Sequence, residues 1–298
     1  NLAEYEGAKN YRFLQGDIAD PVVVAEAYNG VDGSGVDVVV NFAAETHVDR
    51  SLIEAGSFIR TDVHGVLVLL EEARKHAPRL KRFIQISTDE VYGSVLEGSS
   101  NEEAPLKPRN PYSASKTGGD RMAYAYGQTY ELPVIVTRAS NNFGPHQHPE
   151  KMVPLFVTNA IDNCKLPLYG DGKNVRDWLF VDDHCAAVDF LIERGSNGET
   201  YNIGGGNERE NIDVTRKILQ LLGKPESLIK PSKDRVGHDR RYSISSTKIE
   251  GLGFRFRSDF DVMLEETVRW YVDNEPWWRP IIESDEHKAY YAQTYGER

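Results

Sequence analysis

Residues Ser87–Gly93 read "STDEVYG", a threonine and two adjacent carboxylates directly after the apolar run "RFIQI". Taken alone, Asp89 and Glu90 read as solvated charge or the opening of a turn, where acids are commonplace. A second spacing has to be weighed with them. Tyr112 and Lys116 in "NPYSASK" are four residues apart, and Asn110 followed by Pro111 supplies a helix cap and a first helical residue. The two side chains then share one face, a turn apart. An isolated YxxxK is an ordinary surface pair, but it also permits a phenol made acidic by an ammonium. A free tyrosine has a pKa of about 10, and lowering it by roughly three units takes about 4 kcal/mol of preferential phenolate stabilisation. A close lysine and the positive ring of an oxidised nicotinamide cofactor could supply that.

These groups need a frame that brings them together. The runs Tyr11–Gln15, Val36–Phe42, Arg82–Ser87 and Pro133–Ala139 are β-branched or aromatic and read as buried strands. Helical segments are predicted around Val22–Tyr28, Ser57–His76 and Pro111–Glu131. The alternation implies a doubly wound α/β domain with a parallel sheet, whose ligands bind at the carboxyl ends of the strands. "NFAAETH", "STDEVYG" and "TRASNNFGP" all fall at such ends and should converge on one cleft. The second half is strand-and-turn-like, with further helices at Ile212–Gly223 and Asp261–Asn274. We expect a cofactor domain over 1–142 with a return at 177–205, and a smaller α/β substrate lobe over 143–176 and 206–298. The polar, aromatic tail from Glu283 suggests no role.

Composition narrows the class. A chain of 298 residues with 40% hydrophobic and 27% charged residues suits a globular enzyme. A net charge of −11 excludes the dense cationic footprint of a nucleic-acid binder. The longest apolar stretch, "VDVVVNFAA", is too short for a membrane span. Cys164 and Cys185 form no CxxC pattern, and no signal peptide is visible, so a cytoplasmic location is expected. His146, His148, His184 and Cys185 match no ligand spacing, so no metal is expected. "GGG" at Gly204–Gly206 reads as a strand-to-loop turn.

The YxxxK pair after "STDEVYG", preceded by "NFAAETHVDRS" and followed by "SNNFGP", resembles the extended short-chain dehydrogenase/reductase superfamily. Within it, "TDEVYG" together with "LPLYGDGKNVRDWLFVDDH" and "DRVGHDRRY" resembles the dTDP-glucose 4,6-dehydratases, and the likeness continues to "DNEPWWRP". The resemblance implies a Rossmann-like NAD domain and a three-step reaction. Tyr112 as phenolate takes the carbon-4 hydroxyl proton while hydride passes to NAD, and Lys116 lowers the phenol pKa and holds the ribose. Glu90 then removes the carbon-5 proton and Asp89 protonates the departing carbon-6 hydroxyl, while Thr88 bonds the carbon-4 oxygen. Hydride returns to carbon 6. Elimination needs a base and an acid at neighbouring carbons, in opposite protonation states.

By the same resemblance, Asp17 and Ile18 should contact adenine, and Phe42, Ala43, Ala44, Thr61 and Asn142 should line the cofactor. Thr46 and Asn141 should face the sugar. Lys151, Arg176, Arg235 and His238 form the local positive cluster that an acidic protein needs for a diphosphate. Met152, Asn211 and the Pro167–Leu168–Tyr169 segment should complete the nucleotide pocket. A homodimer is implied, with "DVHGVLVLLEEA" as a helix packing face. Alternatives are a CDP- or GDP-sugar dehydratase, an epimerase, or a cofactor-free nucleotide-sugar binding protein. The last is raised by one departure: no GxxGxxG is present, and the chain starts where the family would be finishing its second strand. We expect a glycine-rich βα unit ahead of Asn1 in the physical protein.

Overall fold

β-Branched runs become strands where a neighbouring strand can complete their hydrogen bonds. The computed structural model describes residues 2–257 and 259–296. Its elements run α1 (Pro21–Tyr28), β1 (Val38–Asn41), α2 (Val48–Ile53), α3 (Gly56–Ile59), a π-helical turn (Arg60–Gly65), α4 (Val66–Lys75), β2 (Arg82–Thr88) and a 3-10 turn (Asp89–Tyr92). Then come α5 (Pro111–Tyr130), β3 (Val134–Ala139), β4 (Asn141–Phe143), α6 (Met152–Ile161), β5 (Leu166–Tyr169), β6 (Val175–Phe180), α7 (Val181–Arg194) and β7 (Thr200–Ile203). The chain continues through β8 (Glu208–Glu210), α8 (Asn211–Leu221), β9 (Ile229–Ser232), α9 (Thr247–Gly251), α10 (Phe260–Asp273), α11 (Glu275–Ile282) and α12 (Asp285–Tyr295).

The main sheet has the order β1-β2-β3-β7, every pair parallel. Thr88 lies opposite Ala139, and Ala139 opposite Ile203, so three strands end level with one another. Their polar successors therefore share one rim. β6 joins β4 in parallel and β8 in antiparallel, and β5 pairs β9. One face of the main sheet packs Phe83, Val134 and Val136 against Leu70, Ala73 and Ala123. The other packs Ile84, Ile135 and Ile203 against Ala187 and Leu191 of α7. A third core gathers α6, α8, α10 and α11 around Phe156, Leu166, Ile218 and Trp278. Each fully buried large apolar side chain contributes about 1.5–3 kcal/mol.

Two predicted elements differ. Tyr11–Gln15 forms no strand: no strand among the described residues runs beside it, and Phe13 is 71% exposed. An apolar run without a ladder partner stays irregular. The single helix predicted over Ser57–His76 is broken into α3, the π-helical turn and α4. The widened turn carries Asp62 inward, where its carboxylate accepts from Glu45 N at 2.8 Å and from Ser115 Oγ at 2.6 Å. Gly119 permits this approach, since a Cβ there would sit 2.3 Å from the Asp62 carbonyl oxygen. No described helix is long and apolar enough to cross a membrane.

Candidate active site

Two short elements carry the chemistry. Thr88 ends β2 and caps the 3-10 turn, its Oγ1 accepting from Glu90 N at 3.3 Å. The cap fixes Asp89 and Glu90 to the strand end. Asn110 and Ser113 form a reciprocal capping box at the start of α5, Asn110 Oδ1 accepting from Ser113 N at 2.8 Å, a motif worth about 1 kcal/mol. That start fixes Tyr112 and, one turn on, Lys116. Gly93 ends the 3-10 turn at φ 74°, where a Cβ would meet the Lys107 carbonyl oxygen at 2.4 Å, so only glycine fits.

The adjacent acids occupy different environments. Asp89 is 3% exposed, receives Thr88 Oγ1 at 3.3 Å and leaves Oδ2 without a partner. Burial, then the charges of Glu90 and Asp177, hold its carboxyl well above the usual range. Glu90 is less buried and accepts from the Tyr242 hydroxyl at 3.2 Å. Burial thus disposes Asp89 to keep a proton, beside a second carboxylate that also lines the cleft.

Tyr112 departs from the simple phenol–ammonium picture. Its phenol is pushed above its ordinary value by burial and then by Glu90 and Asp62, with Thr88 pulling the other way. Lys116 donates instead to the Ile86 carbonyl at 2.9 Å. Burial lowers the ammonium, against the opposing pull of Asp62 and Asp120.

A cleft of about 350 Å³ opens over these groups. Its walls include Thr88, Asp89, Glu90 and Tyr112, and also Thr46, Asn141, Asn142, Lys151, Met152, Pro167, Leu168, Tyr169, Arg176, Asn211, Arg235 and His238. Lys151 Nζ donates to Thr46 Oγ1 at 3.0 Å. Arg176 lies over the Tyr242 ring at 4.3 Å, and Arg235 is 3.9 Å from Asp49 with its buried Nε unpartnered. Burial pushes His238 down to about 4, so at neutral pH the cluster carries its charge on Lys151 and the two arginines. Unpartnered Oδ1 atoms of Asn141 and Asn211 add free acceptors.

Lys116 and most of the residues expected at a cofactor lie outside that lining. Phe42, 54% exposed, follows β1 beside Ala43 and Ala44, and its ring edge meets His184 at 5.8 Å. His184 Nδ1 pairs with Asn142 Oδ1 at 2.9 Å, leaving its buried Nε2 unpartnered. This half-exposed aromatic shelf with small neighbours and an unused ring nitrogen fits a flat, amide-bearing ring such as nicotinamide. Thr61 sits in the π-helical turn. Asp17 pairs with Arg60 at 2.5 Å and accepts from Ala19 N, and Ile18 packs against Gly65.

Sequence reasoning missed His47, Asp49, Glu150, His184 and Tyr295, which also line the cleft. His47 adopts φ 88° and reaches Tyr290 of α12 at 3.2 Å, while Arg50 clasps Glu150 at 2.9 and 3.2 Å. His146, which matches no ligand spacing, packs its ring tilted against Trp270 and edge-on to Trp277. No metal-holding group of three His, Cys, Asp or Glu occurs among the described residues.

A parallel sheet with a Tyr–Lys helix and two buried-edge acids at its rim defines a Rossmann-like dehydratase or epimerase of the short-chain dehydrogenase type. Residues 1–267 match the family described as GDP-mannose 4,6 dehydratase. The chain is 48% identical over 287 residues to a dTDP-glucose 4,6-dehydratase of Streptomyces niveus, covering 96% of this chain and 83% of that protein. It is 50% identical over 270 residues to that of Streptomyces antibioticus, covering 90% and 78%. The DesIV dTDP-glucose 4,6-dehydratase of Streptomyces venezuelae, solved with NAD bound, superposes with a TM-score of 0.90 at 47% identity, covering 94% and 85%. The chain belongs to this 4,6-dehydratase family.

Proposed function

We propose that this chain is an NAD-dependent lyase converting dTDP-glucose to dTDP-4-keto-6-deoxyglucose. The observation that carries the reading is the pair Asp89 and Glu90, adjacent in sequence but unequal in burial, with the Asp89 carboxyl held high by that burial, beside Tyr112 in one cleft. When bound, NAD supplies the reversible oxidation, taking hydride from carbon 4 of the sugar and returning it at carbon 6. Tyr112 removes the carbon-4 hydroxyl proton, and Thr88 holds that oxygen. The ketone acidifies carbon 5, Glu90 takes its proton, Asp89 protonates the hydroxyl leaving carbon 6, and Glu90 gives its proton back to carbon 5 as carbon 6 is reduced. Lys116 and Asn142, with Asp17, Ile18, Phe42, Ala43, Ala44 and Thr61, hold the cofactor. Lys151, Arg176, Arg235 and His238 take the diphosphate, and Thr46 and Asn141 take the sugar. Met152, Asn211 and Pro167–Tyr169 hold the nucleoside.

The parallel-sheet part, 1–142 with 177–205, is then the NAD domain, and 143–176 with 206–298 the substrate lobe. Two separate cores on the sheet and a third around α6 and α10 support two units, although Trp178 and Phe180 join the third core and Ile249 and Phe254 join a sheet core across that boundary. A cytoplasmic homodimer completes the reading; the unpaired Cys164 and Cys185 agree with a reducing compartment. In Glu90→Gln, oxidation of added dTDP-glucose should proceed while carbon-5 exchange with solvent deuterium falls at least a hundredfold. Undiminished exchange and turnover would make the acids solvated charge and sink the assignment.

A further inference from the structure

Behind the cleft lies a buried polar network that the chemistry above does not use. Arg138 of β3 is 1% exposed, yet its guanidinium stays charged and needs acceptors. Nε donates to Asp120 Oδ2 at 2.8 Å and one terminal nitrogen to Asp120 Oδ1 at 3.2 Å. The other terminal nitrogen donates to the Tyr92 hydroxyl at 2.7 Å and to the Glu102 carbonyl at 3.2 Å. Tyr92 donates its own proton to Asn202 Oδ1 at 2.8 Å, and Asn202 Nδ2 donates to the Ser100 carbonyl at 3.0 Å. Asp120, Tyr92 and Asn202 are buried as well.

Its members tie the two elements that carry the chemistry to the central sheet. Asp120 lies one turn beyond Lys116 on α5, and Tyr92 two residues beyond Glu90 in the 3-10 turn. Arg138 lies in register between Ser87 of β2 and Asn202 of β7. Apolar packing could join these elements with equal or greater stability, because desolvation offsets much of a buried ion pair. A planar fork bonded on both sides adds fixed direction, which sliding apolar contacts lack.

We propose that Arg138 is a positioning residue that sets the Tyr112–Lys116 helix against the Asp89–Glu90 turn, with Tyr92 as the arm reaching the acids. The proposal rests on the dehydratase reading, in which oxidation draws on α5 and elimination on the turn. Cutting the Tyr92 arm should therefore disturb elimination selectively. Tyr92→Phe keeps the ring, including its contact with the Arg138 guanidinium at 4.9 Å, and deletes only the hydroxyl.

The test compares holoenzyme and dTDP-glucose in single turnover, following reduced-nicotinamide absorbance for oxidation and deuterium uptake at carbon 5 for elimination. Tm is measured alongside. Tyr28→Phe, which deletes another buried hydroxyl bond, to Leu69 O at 2.9 Å, serves as control. Tyr92→Phe should slow deuterium uptake about tenfold, as small misplacements do, and leave oxidation within twofold. Tyr28→Phe should alter neither step. Arg138→Lys, which keeps the charge and loses the fork, should slow both steps if it folds; if it does not, Tyr92→Phe decides. Equal slowing of both steps in Tyr92→Phe, an equal effect of Tyr28→Phe, or no effect in Tyr92→Phe overturns the proposal. A wild-type protein that oxidises no substrate overturns the dehydratase reading and this inference with it.

Discussion

Tyr242 holds its phenol oxygen 3.2 Å from Oε2 of Glu90, and the same oxygen lies 3.0 Å from Oδ2 of Asp239. One hydroxyl proton serves two carboxylates, so the bond to Glu90 shifts with the charge on either acid. Tyr242→Phe should slow carbon-5 deprotonation by roughly 10–100-fold with dTDP affinity within a few-fold, as read by deuterium exchange and titration calorimetry. A collapse of affinity with intact exchange would assign Tyr242 to holding Arg176 instead.

Asp89 gives a stability prediction opposite to its catalytic one. Its native carboxyl binds a proton more tightly than in the unfolded chain, where the usual value is 3.8. Stability is therefore lost as pH rises from that value through the raised native one. Asp89→Asn removes the loss while abolishing turnover. Its Tm should exceed that of wild type at pH 7, by roughly 2–4 °C for each kcal/mol recovered, and the gap should close below pH 3.8. Equal Tm at both pH values would mean Asp89 is solvated.

His184 sets an acid limit. Burial lowers its imidazole from 6.5 to about 4, so the unfolded chain binds the extra proton between those values. Stability should fall as pH drops from 6.5 towards 4, by about 3 kcal/mol at most from this group. His184→Asn should flatten that part of a Tm-against-pH curve, and an unchanged slope would refute the assignment.

Lys116→Met strips the Ile86 carbonyl of its donor and leaves Asp62, which acts on the Tyr112 phenol, without its nearby ammonium, while Asp120 keeps Arg138 and Arg121. The carboxylates around Tyr112 then act on the phenol with less opposition, so the activity profile should move to higher pH and turnover should fall at least tenfold. Tyr112→Phe should abolish turnover with the fold retained, as checked by circular dichroism. An active Lys116 variant with an unmoved profile would remove lysine from the tuning of the phenol.

The loop holding Thr46 depends on α12. His47 keeps φ 88° while bonded to Tyr290 and to the Glu150 carbonyl at 3.4 Å. Such a backbone persists only where its surroundings hold it. Tyr290→Phe should raise KM for the nucleotide sugar about three- to tenfold and change kcat less than twofold. A fall in kcat at constant KM would place Tyr290 in the chemistry.

Local features of this site were legible and distant ones were not. The Tyr112–Lys116 face and the Asn110 cap follow from helical spacing, and the adjacent acids stand in the sequence itself. Strands Val38–Asn41, Arg82–Thr88 and Val134–Ala139 fall within or beside predicted runs because each finds a partner among the others. Tyr11–Gln15 has a similar composition and no such partner, so composition alone misled. The direction of Lys116 was invisible because it depends on which acceptor burial leaves within reach. Tyr242 meets Glu90 across 152 positions and Tyr290 meets His47 across 243, distances at which no periodicity carries information.

The cleft's wall draws on residues as far apart in the chain as Thr46 and Tyr295. Synthesis proceeds from the amino end, and domains commonly organise as they emerge. The acids and the Tyr–Lys helix can thus be in place on the ribosome while the pocket above them still lacks its last wall. A nascent chain halted before Asp285 would present catalytic groups to water with no side chain from α12 to enclose a substrate. Competence waits for α12, the element that brings Tyr295 to the cleft.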